Sequence, residues 1–296
     1  MGEIIFKMKI SWIGTGIMGR SMCSRLMKAG HECVVFNRTR AKAQDLLDAG
    51  ALWADSPAEA ARQADVVFTM VGFPTDVEDV VLNPTTGVLA GFRENPSPNQ
   101  KIFVDCTTSR PSLAEKIARE AENLGVWALD APVSGGDVGA KNGTLSIMVG
   151  GRREAFDAME PIWKILGTNV RWQGGPGMGQ HTKMVNQILI AGNMMGMCEA
   201  LRYAQTVGLD VPNALESVST GAAGSWSLSN LGPRILRGDF APGFKIMHFV
   251  KDLRIALEEA REKGLNIPAV QLAEKLYAEL MERGLADEGT QALIKY

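Results

Sequence analysis

The sequence is short of several things, and each shortage excludes a class of protein. It has four cysteines, Cys23, Cys33, Cys106 and Cys198, and no CxxC pair. They read as buried thiols in a reducing compartment. It has three histidines, His31, His181 and His248, none at metal-ligand spacing. No metal site is expected. An excess of one charge is also missing: 31 Lys and Arg against 33 Asp and Glu leave a formal net charge of −2. No nucleic-acid partner is expected from that balance. Long apolar runs are absent too. The run over 188–198 is too short to span a bilayer and is broken by Gly192 and Asn193, so no membrane association is expected. The N-terminal MGEIIFKMKIS holds only three apolar residues between Glu3 and Lys7. It does not read as a signal peptide, and Phe6 stands where myristoylation needs Ser or Thr. A cytoplasmic protein is expected, with 1–7 a loose extension.

What is present is a soluble composition, 46% hydrophobic and 22% charged over 296 residues, long enough for two domains. The first part alternates strand and helix patterns. The run 8–13 reads as a buried strand and leads into Gly14-Thr15-Gly16-Ile17-Met18-Gly19, then a helical pattern to Gly30 and a strand at 33–36. Strand, GxGxxG, helix and strand in that order form a dinucleotide-binding unit. Gly14 permits the tight turn, Gly16 lets backbone approach a pyrophosphate, and Gly19 allows helix and strand to pack closely.

The end of the second strand normally carries an acid for the ribose of NAD. Here it reads Asn37-Arg38-Thr39. Arg38, with its neighbours, suits a 2′-phosphate, which favours NADP over NAD. The competing reading makes Arg38 and Arg40 solvated charges at the start of the next helix. Further strands are expected at 65–71, 101–105, 126–130, 144–149 and 169–172. Met70 and Val71 close the first of these, and Thr108 follows the second, at the ends where open α/β sheets bind ligands. The glycine-rich loop 131–143 contains Ser134, Gly135 and Gly136, a hydroxyl and exposed amides suited to a carboxylate. A plain turn is the alternative.

Strands stop after Trp172, and 174–179 is again glycine-rich. Helices are expected from 179 to about 206, then at 212–220, 229–236, 244–263 and 268–283, with Asp287 capping a terminal one. The expected division is a dinucleotide-binding domain over 1–174 and a helical substrate and oligomerisation domain over 175–296. The first helix of the second part carries Lys183, Asn186 and Gln187 at i, i+3 and i+4, so all three share one side. The rest of it is nearly all apolar or small. A lysine there is either salt-bridged or snorkelling, or it is used.

In combination these motifs resemble the β-hydroxyacid dehydrogenase family, from Met8 to the C-terminus. The resemblance rests on the 14–19 loop, Asp130-Ala131-Pro132-Val133-Ser134-Gly135-Gly136, the stretch from Gly179 to Lys183 with an amide soon after, and Lys251-Asp252-Leu253. It implies a Rossmann-type domain followed by an all-helical one, and an NADP-dependent oxidoreductase acting on a small 3-hydroxy or semialdehyde acid. It implies Lys183 as general acid and base, with Ser134, Gly135 and Gly136 holding the substrate carboxylate. Gly14 to Gly19, Asn37, Arg38, Thr39, Met70, Val71, Thr108, Phe244 and Lys251 would bind the cofactor. Several relatives carry asparagine four residues after the lysine; here that residue is Gln187, with Asn186 before it. Which amide serves catalysis stays open, as does the exact substrate. A lysine that moves protons both ways must titrate below its free value of ~10.4, which burial and adjacent positive charge favour. A homo-oligomer is expected from the apolar helical half. Ser225, Trp226 and Met247 are candidates for shaping the pocket. The competing readings are an NADPH-binding sensor without chemistry and an imine reductase on the same architecture.

Overall fold

The computed structural model describes residues 7–96 and 99–296. The readings of the N-terminal stretch therefore fall largely on residues 1–6, outside the described residues. The chain divides into two compact units, Met1–Lys183 and Met184–Tyr296. The first is α/β and the second is helical, the expected fold class.

In the first unit the strands are β1 (Lys9–Ile13), β2 (Glu32–Phe36), β3 (Leu52–Trp53), β4 (Val66–Thr69), β5 (Ile102–Asp105), β6 (Trp127–Asp130), β7 (Val133–Ser134), β8 (Leu145–Gly151) and β9 (Gly167–Gly174). Among the described residues they form one sheet in the order β3-β2-β1-β4-β5-β6-β8-β7, with β9 also on β8. The first six are parallel neighbours. β8 runs antiparallel to β6 and β7. Helices cover both faces, so β4 and β5 are buried along their whole length and read as unbroken apolar runs up to a polar end. Trp12 stacks on Phe68 with ring centroids 5.0 Å apart, and Trp163 meets Phe68 edge-on at 6.5 Å. The strand order reverses between β1 and β4, which sets a ligand crevice at their carboxyl ends.

Several local expectations needed correction. The glycine-rich stretch 131–143 is not a plain loop: it holds β7 and a helix over Gly136–Asn142. Glycine, aspartate and asparagine are weak helix formers, so the pattern hid that helix. A helix over Val88–Glu94 also escaped notice. Its Gly91 is there because the Ala58 carbonyl leaves no room for a side chain. Between β8 and β9 lie two short helices, Arg153–Ala158 and Glu160–Leu166, the second carrying Pro161 in its first turn. Asp287 caps no terminal helix. It pairs with Lys245 at 2.6 Å, and a short 3-10 helix follows Gly289 over Thr290–Lys295.

The second unit holds most of the long helix Met178–Thr206, with helices Val211–Ser219, Trp226–Leu236, Ile246–Glu262 and Pro268–Glu282. It has an apolar core of its own, around Met194, Leu201, Phe249, Leu253 and Tyr277. Phe249 meets Tyr277 edge-on at 5.0 Å, and the fully buried Tyr277 hydroxyl donates to the Thr290 carbonyl at 2.8 Å. No helix among the described residues is long and apolar enough to cross a membrane.

Candidate active site

The first glycine loop follows β1. Gly14 has φ +95°, and a Cβ there would collide with the Met70 carbonyl. At Gly19 a Cβ would collide with the Gly14 carbonyl and lie 2.8 Å from Trp12 Nε1. Gly16 differs from both: a Cβ there would meet no protein atom within 4 Å. The turn and the packing thus use Gly14 and Gly19, while the space at Gly16 is left open. The helix that follows, Ile17–Lys28, has no side-chain cap and no acid in its first turn, so the partial positive charge of its first amides is uncompensated. Thr15 Oγ1 is buried beside it without a hydrogen-bond partner. Open space, free amides and an orphaned hydroxyl fit a pyrophosphate.

Asn37 closes β2 and shapes this loop. Its Oδ1 accepts the Thr15 amide at 3.0 Å and its Nδ2 donates to the Thr39 carbonyl at 3.0 Å. Arg38 is exposed, with Nη1 2.9 Å from Asp76 Oδ1. Thr39 precedes a 3-10 turn, Arg40–Ala43. Met70 and Val71 are half-buried at the end of β4. The Met70 amide donates to Ile13 O at 2.9 Å and the Val71 amide to Thr107 Oγ1 at 3.0 Å. Thr108 is half-buried just past β5.

Lys183 sits in the second turn of the long helix and is 6% exposed. Its Nζ donates to the Val133 carbonyl at 2.9 Å. Val133 directly precedes Ser134, Gly135 and Gly136, so the lysine ammonium and the expected carboxylate cradle lie together. Gly135 and Gly136 take φ of +130° and +62°, which favours glycine at both. A buried polar frame closes β5 and β6, built on Asp105 and on Asp130, which the sequence offered only as the first residue of a motif. Asp105 at the end of β5 accepts the Thr69 hydroxyl at 2.8 Å and the Thr107 amide at 2.9 Å. Asp130 ends β6 and is 4% exposed. The signal available was an acid closing each of two buried apolar strands.

In the second unit, Asn186 Nδ2 donates to Gln187 Oε1 at 2.7 Å. Gln187 Nε2 in turn donates to Asp252 Oδ2 at 2.6 Å. Lys251 Nζ lies 2.8 Å from Asp252 Oδ1. Asp252 and Gln187 are each 1% exposed, so both amides and Lys251 belong to one buried chain organised by a carboxylate. Phe244 precedes the helix Ile246–Glu262 and stacks near His248 with centroids 6.4 Å apart. Burial holds the His248 imidazole below its usual range. Ser225 caps the helix Trp226–Leu236 through the Leu228 amide at 3.1 Å, and Trp226 is exposed.

Residues 9–174 match the NAD binding domain of 6-phosphogluconate dehydrogenase, and residues 177–296 match the NAD-binding domain of NADP-dependent 3-hydroxyisobutyrate dehydrogenase. The chain belongs to the β-hydroxyacid dehydrogenase family. It is 52% identical over 286 residues to a probable 3-hydroxyisobutyrate dehydrogenase-like protein, mitochondrial, of Arabidopsis thaliana, covering 97% of this chain and 84% of that one. It is 35% identical to the 2-hydroxy-3-oxopropionate reductase of Escherichia coli, covering 97% of this chain and 96% of the relative. A solved 3-hydroxyisobutyrate dehydrogenase of Mycobacterium tuberculosis with L-serine superposes with a TM-score of 0.87 at 28% identity, covering 98% of this chain and 99% of that one. As a β-hydroxyacid dehydrogenase the chain is an NAD(P)-dependent oxidoreductase acting on a hydroxyl-bearing carbon.

Proposed function

We propose that this dehydrogenase transfers hydride between NADP(H) and a small 3-hydroxy acid or semialdehyde acid, with Lys183 as general acid and base. The observation that carries the reading is the buried Lys183 ammonium on the Val133 carbonyl, one residue from Ser134. Bound at the open glycine loop, the nicotinamide cofactor supplies or accepts the hydride. In reduction, Lys183 gives its proton to the aldehyde oxygen as negative charge develops there. In oxidation it takes the hydroxyl proton. Ser134 Oγ and the Gly135 and Gly136 amides bind the carboxylate and fix the reacting carbon.

Of the two amides, Asn186 faces substrate and Gln187 holds it. The Gln187 carboxamide is engaged at both ends, by Asp252 and by Asn186. Asn186→Ala then raises KM and lowers kcat together. Equal losses from Gln187→Leu alone, with Asn186→Ala silent, would reverse the assignment.

NADP over NAD rests on Arg38, whose surface pair with Asp76 is cheap to exchange for a phosphate. We put the functional division at 174/175; one family match ends at residue 174 and the other begins at 177, which supports it. A cytoplasmic setting agrees with four unpaired, buried thiols. A homo-oligomer agrees with one helix face that exposes Val185, Leu189 and Tyr203, with nothing packed over Gly192 or Gly196. Light scattering giving a monomer mass would end that part of the reading.

The test is consumption of NADPH and NADH with glyoxylate, succinic semialdehyde, tartronate semialdehyde and methylmalonate semialdehyde. Turnover with at least one of them, faster with NADPH, is expected. Tight NADPH binding with no turnover on any carboxylate-bearing aldehyde would refute the substrate class.

A further inference from the structure

Asp130 has no part in the chemistry above, yet it is placed where Lys183 is set. Its Oδ1 accepts the Gly177 amide at 2.9 Å and its Oδ2 accepts the Gln180 amide at 2.8 Å. These amides belong to the start of the long helix, where donors lack partners within the helix. Two glycines make room for the carboxylate. A Cβ at Gly150 would lie 2.5 Å from Oδ1, and one at Gly179 would lie 2.8 Å from Oδ2. Gln180 extends the frame, accepting the Ser109 amide at 2.9 Å and donating to the Thr107 carbonyl at 2.7 Å. Lys183 stands three residues after Gln180, and its Nζ rests on Val133, three residues after Asp130. Strand end, helix start and lysine thus close one ring.

We propose that Asp130 is a positioning residue: its ionised carboxylate caps the long helix and thereby sets the turn from which Lys183 reaches the substrate oxygen. The inference rests on the reading of Lys183 as proton donor. A carboxylate offers an acceptor to each of the two amides. A protonated carboxyl turns one acceptor into a donor, which then faces an amide N–H, and half of the cap is lost. The groups facing Asp130 are the Gly177 amide just before the helix, the Gln180 amide in its first turn, Gly150 from β8, and Asp105, its register partner on β5. Burial pushes the Asp130 carboxyl up to about 7, the two helix amides oppose that rise, and Asp105 adds to it. The cap therefore switches across neutral pH. In the direction of aldehyde reduction, acid keeps Lys183 protonated, so a loss of kcat on the acid side points away from the lysine and to the cap.

The experiment is kcat for aldehyde reduction against pH, with NADPH affinity measured alongside, for the wild type, Asp130→Asn, Asp130→Glu and Lys183→Ala. The wild type is expected to lose kcat as pH falls through about 7. Asp130→Asn is expected to lose about 10–100-fold in kcat, the range for a displaced catalytic group. Its acid limb should vanish and its NADPH affinity should stay. Asp130→Glu keeps the charge and is expected to retain the limb and recover part of the rate. Wild-type kcat in Asp130→Asn, or an unshifted acid limb, overturns the proposal. If neither Asp130 variant folds, the wild-type profile decides alone, and a flat acid side overturns it. Lys183→Ala separates the two claims. Full turnover there removes the lysine from the chemistry, whereas a dead Lys183→Ala beside a normal Asp130→Asn removes only the positioning role.

Discussion

Two glycine-rich stretches lead into helices in this chain, and they are built in opposite ways. After β1 the helix Ile17–Lys28 begins without a side-chain cap, Gly16 borders open space, and Thr15 Oγ1 has no partner. At the start of the long helix, Gly177 and Gln180 give their amides to Asp130, and Gly179 is hemmed in by the Met148 and Asp130 carbonyls. The first stretch leaves its donors for a ligand. The second spends them inside the protein and holds a lysine in place. Glycine serves both ends, because the lack of Cβ admits either a phosphate or a neighbouring chain.

The comparison can be broken most sharply at Lys183. Lys183→Ala should lower kcat by at least ~10², the range for positioned proton transfer, with NADPH binding retained. Turnover within a few-fold of wild type would leave the second stretch without a purpose. Next in size is the contrast between Gly179→Ala and Gly16→Ala. The first forces a methyl against two backbone carbonyls and should destabilise by roughly 1–3 kcal/mol or more, visible as a lowered Tm. The second meets no protein atom, so Tm should hold within about 0.5 kcal/mol of stability. Its NADPH affinity should nevertheless fall about tenfold, because the methyl occupies space meant for the pyrophosphate. Equal Tm losses in both variants would erase the distinction.

Smaller effects sharpen the picture. Arg38→Ala should cut the preference for NADPH over NADH by about tenfold, one charge-assisted contact, while kcat with saturating cofactor stays. Stability should also depend on pH through Asp130. Its folded-state value, about 7, lies above the ordinary carboxyl value of 3.8, so the folded state prefers the protonated form. That contribution is full below the ordinary value and is lost as pH rises through about 7. Tm should therefore decline from acid to neutral pH more steeply in the wild type than in Asp130→Asn. Stability and turnover then pull against each other at this carboxyl, since the ionised cap is costly to bury but orients the lysine.

Much of the candidate site was legible because its signals are local. The 14–19 loop needs strand, turn and helix in sequence order, and each is visible as an apolar run or a glycine. Lys183, Asn186 and Gln187 share a helix face by spacing alone. The polar frame was legible only as an acid at the end of each of two strands, because Asp105 and Asp130 come together through strand pairing and Gln180 joins them from beyond the glycine-rich stretch at 174–179. The same holds for Gln187 and Asp252, which are 65 positions apart in the chain. The helix Gly136–Asn142 was lost to weak propensity, which tertiary contacts overrode.

The amino-acid order by itself determined the α/β then helical plan, the nucleotide loop and the presence of a lysine in an apolar helix. These follow from periodicity, glycine spacing and a polar group in an apolar helix, all readable within a few turns of chain. Only the tertiary structure decided what holds the lysine, which amide is engaged, and that a carboxylate ending β6 caps the long helix. Those depend on which distant backbone atoms meet in a dry interior, where each buried donor must find an acceptor.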